Sequence, residues 1–267
     1  MVRIWSFALL LTSFLWLSCK PIPQVQTIQN TKTEFVYFNA DNLGNIYSLN
    51  SENEINKTAI DKQFNYLYDN TELGTINYID VSNPLSILVG HPEFQTINVL
   101  DVTLRETAKI YLPDSEVVSD SLAFCRSNDG NIWVYDDFET RIVKLGEASE
   151  IIEFGERLIE YTGIIPRVSS MVQGKRYILL NAPLDGIIVL DQFGKYMKTL
   201  PFKGLDRIFL INNNLLYQRD GALNFHNLDH LEKGVVAKAD SVQFLPTGDR
   251  LFTWDKLGIQ EYVFSEN

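Results

Sequence analysis

A short turn followed by a strand returns along this chain at an almost constant interval. That interval limits the folds open to the chain more than any other feature. Asp41-Asn42-Leu43-Gly44-Asn45-Ile46-Tyr47 is echoed by Asn128-Asp129-Gly130-Asn131-Ile132-Trp133. Weaker copies stand at Leu85-Ser86-Ile87-Leu88, Lys175-Arg176-Tyr177-Ile178, Asn213-Asn214-Leu215-Leu216-Tyr217 and Asp249-Arg250-Leu251-Phe252. With Tyr47, Leu88, Trp133, Ile178, Tyr217 and Phe252 taken as equivalent, the spacings are 41, 45, 45, 39 and 35 residues. A period of about forty residues that holds several strands is the mark of a β-propeller blade. The Gly or Asn of each turn accepts the positive φ that a tight reversal needs. The alternation that follows sets every second side chain against the next blade.

Each copy expands into a blade of similar grammar. The third is clearest, with strands at Ser121–Asp129, Gly130–Asp136, Thr140–Leu145 and Glu150–Phe154. The last copy has only three, at Ser241–Leu245, Asp249–Trp254 and Gly258–Phe264. A spare alternating strand, Gln24-Val25-Gln26-Thr27-Ile28-Gln29, precedes the first blade and supplies the missing one. Such closure also removes open sheet edges. The expected fold is all-β: a propeller domain over 34–267, six blades of four antiparallel strands, closed by an N-terminal strand. The second and fifth copies are degraded, which leaves five or seven blades as alternatives. A β-sandwich with accidental spacing is the other fold to weigh.

The N-terminus reads as an export signal. Arg3 is followed by Ile4–Leu17, apolar except for Ser6, Thr12 and Ser13 and too short for a comfortable membrane span. Leu15-Trp16-Leu17-Ser18-Cys19 resembles a bacterial lipobox, and the resemblance implies a lipoprotein signal peptide over 1–18 and acylation of Cys19. An ordinary secretory signal is the alternative. Lys20-Pro21-Ile22-Pro23 is a proline-stiffened tether, so 19–33 is read as tether plus closing strand. The blade grammar resembles six-bladed propellers of the NHL and TolB-like type. With the lipobox, the whole resembles the propeller lipoproteins of Bacteroidota. Lys20 in place of an aspartate favours the outer membrane, and the absence of an acidic run after Cys19 favours a periplasm-facing protein. A formal net charge of −11 makes nucleic acid a poor partner and leaves the lipid anchor as the link to the membrane.

Catalytic signatures are missing from the sequence: it holds no nucleophile elbow, phosphate loop, dinucleotide fingerprint or Cys-x-x-Cys. Cys125, in an apolar run, reads as a buried structural thiol. Of three histidines, His91 is placed in a turn, and His226 with His230 has a helical spacing in a segment that alternates like a strand. Asp136-Asp137 and Glu147–Glu153 read as a solvated acidic face. Some propeller hydrolases and lactonases hold an axial cation with Asp and Asn side chains. The comparable positions here are Asn39 or Asp41, Asp80 or Asn83, Asp129, and Asn212 or Asn213, a possible calcium set. These are also ordinary turn residues. The expected function is therefore a non-catalytic outer-membrane lipoprotein that scaffolds other envelope proteins. Its closest functional analogue is the propeller lipoprotein of the outer-membrane β-barrel assembly machinery. The alternatives are a small-ligand binder or sensor using the axial funnel, and a calcium-assisted propeller hydrolase or lyase.

Overall fold

The computed structural model describes residues 24–29, 35–59, 64–230, 232–238, 242–255 and 258–263. Cys19 and the export signal lie outside the described residues. The rest is almost entirely β, in six four-stranded antiparallel sheets. Blade 1 comprises Phe35–Ala40, Ile46–Asn50, Ile55–Thr58 and Asn65–Tyr68. Blade 2 comprises Tyr78–Asp80, Ile87–His91, Thr96–Leu100 and Glu106–Tyr111. Blade 3 comprises Phe124–Arg126, Ile132–Asp136, Arg141–Leu145 and Ile151–Phe154. Blade 4 comprises Ser170–Gln173, Tyr177–Ala182, Gly186–Asp191 and Tyr196–Leu200. Blade 5 comprises Ile208–Ile211, Asn214–Arg219, Ala222–Asn227 and Lys233–Lys238. Blade 6 comprises Gln243–Thr247, Arg250–Asp255 and Gly258–Val263, with the N-terminal strand Gln24–Gln29 paired antiparallel on its outside. The chain is a six-bladed β-propeller.

Six apolar clusters hold the ring, one at each junction between blades. The alternation of the strands builds them. Ile132 and Val134 pack backward with Leu88 and Val99 of blade 2. Trp133 and Tyr135 pack forward with Met171 and Ile188 of blade 4. Blade 6 meets blade 1 through Leu245, Phe252 and Ile259 against Phe38 and Ile46, which closes the circle. The 5–6 junction is the least filled, with Leu216, Leu223, Phe244 and Leu251 as its buried members.

The repeat needs one correction. Tyr47, Leu88, Trp133 and Phe252 do face the following blade. In blade 4, however, Ile178 faces back toward blade 3, while Tyr177 faces forward. In blade 5, Tyr217 packs backward and Leu216 forward. Side chains alternate with a period of two, so a one-residue error flips the face. Corrected in this way, the spacings become 41, 45, 44, 39 and 36 residues.

Because every inner strand runs the same way, the turns sort onto two faces. Turns joining second to third strands, and links to the next blade, open on what is here called the upper face. Turns joining first to second and third to fourth strands open on the lower face.

Candidate functional site

The motif that announced the fold is a turn held by its own aspartate. Asp41 is 1% exposed. Its Oδ1 accepts the Leu43 and Asn45 N–H groups at 2.9 Å, and its Oδ2 accepts Asn45 Nδ2 at 2.8 Å and the Tyr47 hydroxyl at 2.9 Å. Gly44 sits at φ +87°, where a side chain would be strained. The same five-residue reversal recurs at Asp101, whose Oδ1 takes the Thr103 and Arg105 N–H groups, and at Asp191, which takes those of Phe193 and Lys195. An aspartate in this setting is a turn cap, and at Asp41 both carboxylate oxygens are engaged.

The other candidate ligands are placed apart. Asn39 donates to the Ile79 carbonyl at 3.0 Å, capping the free inner edge of blade 2. Asp80 plays the corresponding part for blade 3, accepting the Arg126 N–H at 2.7 Å while also taking the Ser82 N–H at 2.8 Å. Asp129 lies in the blade 3 turn, 3.1 Å from Lys144. Partial burial acts to raise its carboxyl, but hydrogen bonds from Ser127, the Asn131 N–H and Lys144 outweigh that and bring it to about 2. Asn212 forms a tight turn with Asn213, both at positive φ, and its carbonyl accepts Asn214 Nδ2 at 3.2 Å. Of the five, only Asn39 and Asp80 come together, at the axis. Among the described residues no three His, Cys, Asp or Glu side chains are grouped to hold a metal.

Side chains of several blades meet across the axis. From blade 5, Arg207 reaches past blade 6, donating to the Phe38 carbonyl at 3.1 Å and the Tyr37 hydroxyl at 3.3 Å, with its guanidinium 4.6 Å from the Tyr37 ring centre. Tyr37 packs edge-on against Tyr78, and Tyr78 against Phe124. Below this plug, a cavity of about 220 Å³ opens on the lower face, lined by residues of blades 1, 2, 4, 5 and 6 that include Asn39, Tyr78, Asp80, Gln173, Phe209 and Thr247. A second, more apolar cleft of about 310 Å³ marks the loose 5–6 junction, between Leu216, Leu223, Phe225 and Leu251.

A set of amide side chains went unnoticed in the sequence. Asn53 donates to the Gly74 carbonyl and accepts the Ile76 N–H. Gln95 does the same with the Ser119 carbonyl and N–H. Asn181 donates to the Leu205 carbonyl, and Gln218 clamps the Val242 carbonyl and the Phe244 N–H. Each amide pairs backbone that enters the next blade, where no sheet partner exists. Three of these carbonyls lie 24 residues after their amide, a regular offset that could have revealed them.

Two sequence placements change. His91 ends a strand and is fully buried, not set in an open turn. Asp136 is also buried, its Oδ1 accepting the Phe138 and Glu139 N–H groups, so the Asp136-Asp137 pair is not simply a solvated face. Cys125 is buried as expected, and burial pushes its thiol well up. Burial lowers the His91 pKa, only partly offset by the Gly74 carbonyl and Glu106. The folded state therefore resists the proton that the unfolded chain accepts below about pH 6.5, and stability is lost as pH falls through that value. Denaturant melts of wild type and His91→Gln from pH 7.5 to 5 should show a smaller acid loss in the variant. Asp137 has the opposite sign. Burial and the neighbouring Asp120 and Asp136 charges push it up to about 6, against the Asp120 N–H. Its ionised form is disfavoured in the fold, so stability falls as pH rises through about 6. Asp137→Asn is expected to gain about 1 kcal/mol at pH 7 after solvent screening, a gain absent at pH 4.

The upper face over blades 2–4 carries a patch of exposed apolar side chains. Phe138 is 77% exposed, and Phe94, Val118, Ile164, Ile165 and Leu184 are exposed on turns and links of the same face. These loops are tied together. The Asp137 N–H donates to the Val118 carbonyl at 2.8 Å, the Leu158 N–H to the Thr140 carbonyl at 2.7 Å, and the Tyr135 hydroxyl to the Pro166 carbonyl at 3.1 Å. Exposed Asp114, Glu116 and Asp120 rim the patch, with Asp137 half-buried inside it. Arg157 on this face is paired with Glu139 at 3.4 Å, and Arg167, in the link that carries Ile164 and Ile165, is exposed.

No known protein-family model matches the chain, and no curated protein sequence matches it. Solved structures do. Virginiamycin B lyase from Staphylococcus aureus superposes with a TM-score of 0.59 at 11% identity, over 92% of this chain and 99% of that one. The extracellular domain of a hybrid two-component system from B. thetaiotaomicron gives 0.52 at 10% identity, over 85% of this chain and 33% of that one. BamB from Moraxella catarrhalis gives 0.46 at 9% identity, over 82% and 70%. At such identities the likeness is one of fold. One of these proteins is a lyase and another an extracellular domain of a signalling system, so the fold fixes neither an activity nor its absence. Among the described residues no helix is long and apolar enough to cross a membrane.

Proposed function

We propose that this propeller is a non-catalytic lipoprotein, anchored through Cys19 in the outer membrane and facing the periplasm, that docks other envelope proteins. The observation that supports it is the upper-face patch. A Phe side chain left 77% exposed among five other exposed apolar residues is what an unoccupied interface looks like. Its rim of Asp and Glu, with an Asp137 carboxyl pushed up by burial and by the neighbouring Asp120 and Asp136 charges, favours a partner with an apolar knob flanked by Lys or Arg. Rigid loops hold the patch in shape, so little ordering entropy is lost on docking. The reading needs no resident cofactor.

Affinity purification from detergent-solubilised membranes tests it, comparing the native protein with Cys19→Ala and with Phe138→Glu/Ile165→Glu. A reproducible set of envelope proteins, lost in both variants, is the expected result. A native protein that repeatedly comes out alone would contradict the docking role.

A further inference from the structure

The axial cup is a second place where the molecule is built to hold something, on the face opposite the apolar patch. Its lining is unbalanced. Asp80 is the one charged group among the described lining residues and is 6% exposed. The carboxylate accepts two backbone N–H groups, which leaves lone pairs on both oxygens. Among the described residues no Lys or Arg lines the cup. Arg126, whose backbone N–H donates to Asp80, turns its guanidinium to the Gly130 carbonyl and to Ser86, and Arg207 of the plug is held by the Phe38 carbonyl and by the Tyr37 and Phe209 rings. Tyr78, Ser82 and Thr247 also line the cup, and the described residues provide no hydrogen-bond partner for their hydroxyls. Gln173, also in the wall, has a buried Oε1 with no donor. The remaining wall is aromatic and aliphatic, from Phe209, Tyr78, Val172 and Leu210.

Oxygen acceptors in excess, a carboxylate with no ion-pair partner among the described residues and aromatic faces together describe the complement of a particular ligand. We propose that the cup binds a small organic ammonium ion, its N–H donors taken by Asp80 and the surrounding oxygens and its carbon body by Phe209 and Tyr78. An ammonium head gains from both the carboxylate and the ring faces. Calcium fits less well, because it takes six to eight oxygens and draws on several carboxylates, whereas one carboxylate is present here. The site lies apart from the docking patch and stands whether or not that reading holds.

The test is calorimetric titration of the purified full chain with phenethylammonium chloride, with neutral 2-phenylethanol and calcium chloride as separate arms. Saturable binding of the ammonium alone is expected. Asp80→Asn should weaken it about tenfold or more, the size of one charge-assisted hydrogen bond. Asp80→Asn also disturbs two backbone contacts, so Ser82→Trp, at the exposed rim, supplies an independent block. It should abolish binding while leaving the thermal melt unchanged. Absent saturation, equal affinity for the alcohol, equal affinity in a folded Ser82→Trp, or saturable calcium binding that Asp80→Asn removes would each overturn the proposal.

Discussion

Deleting residues 24–29 is expected to open the ring rather than trim it. That segment is the outer strand of blade 6 and pairs antiparallel with Ile259–Val263, with one register shift between Thr27 and Gln29. Without it, five register pairs are lost and the edge of Gly258–Val263 is bared. Net values near 1 kcal/mol per hydrogen bond put the loss at about 3–5 kcal/mol, a large part of the stability of any domain. The same strand carries Ile259, buried against blade 1, so the damage reaches the closing junction. An unpaired edge also invites association between chains. Denaturant melts with light scattering should show an early, broadened transition and aggregation. A deletion variant that melts like the intact chain would mean that the ring closes without its N-terminal strand.

The second large effect is expected at Asp41. Asp41→Ala removes four hydrogen bonds at one buried carboxylate and leaves the Tyr47 hydroxyl without its acceptor inside the 1–2 junction. The expected cost is about 3 kcal/mol, the range for orphaning a buried polar group. Asp41→Asn keeps the Oδ1 acceptor and should lose less. Asp129→Ala offers the contrast. Its side chain is 47% exposed and Tyr47 has no counterpart hydrogen-bonded to it, so the loss should stay below about 1 kcal/mol. Equal losses at the two positions would show that the turn aspartates are not acting as described.

The architecture was legible because its signal is local. A turn with Gly at the reversal and Asp at its base is written within seven residues, and the period then follows by counting. What depends on the closed ring was not legible. Which side of a strand faces the next blade is decided by a single residue of register, and Ile178 and Tyr217 show how easily that slips. Asn53, Gln95, Asn181 and Gln218 look like ordinary loop polar residues until the next blade arrives to be clamped. His91 has turn residues around it in sequence, yet the packing of blade 2 buries it completely. The axial candidates were ambiguous for a chemical reason. Asp and Asn at strand ends are the same residues whether they ligate a cation or cap a neighbour, and here Asn39, Asp41 and Asp80 all have backbone to cap. The apolar patch is assembled from links and turns far apart in sequence, so nothing short of the fold collects Phe94, Phe138 and Leu184 on one face.

The measurement that bears most directly on the docking role is site-specific photo-crosslinking in intact cells. A photoreactive residue is placed at Phe138 or Leu184 on the upper face, and at Leu43 or Phe193 on the lower face; all four are exposed. The account predicts a discrete adduct with one or more envelope proteins from the upper-face positions and none from the lower. Adducts from the lower face alone, or from neither face, would contradict it.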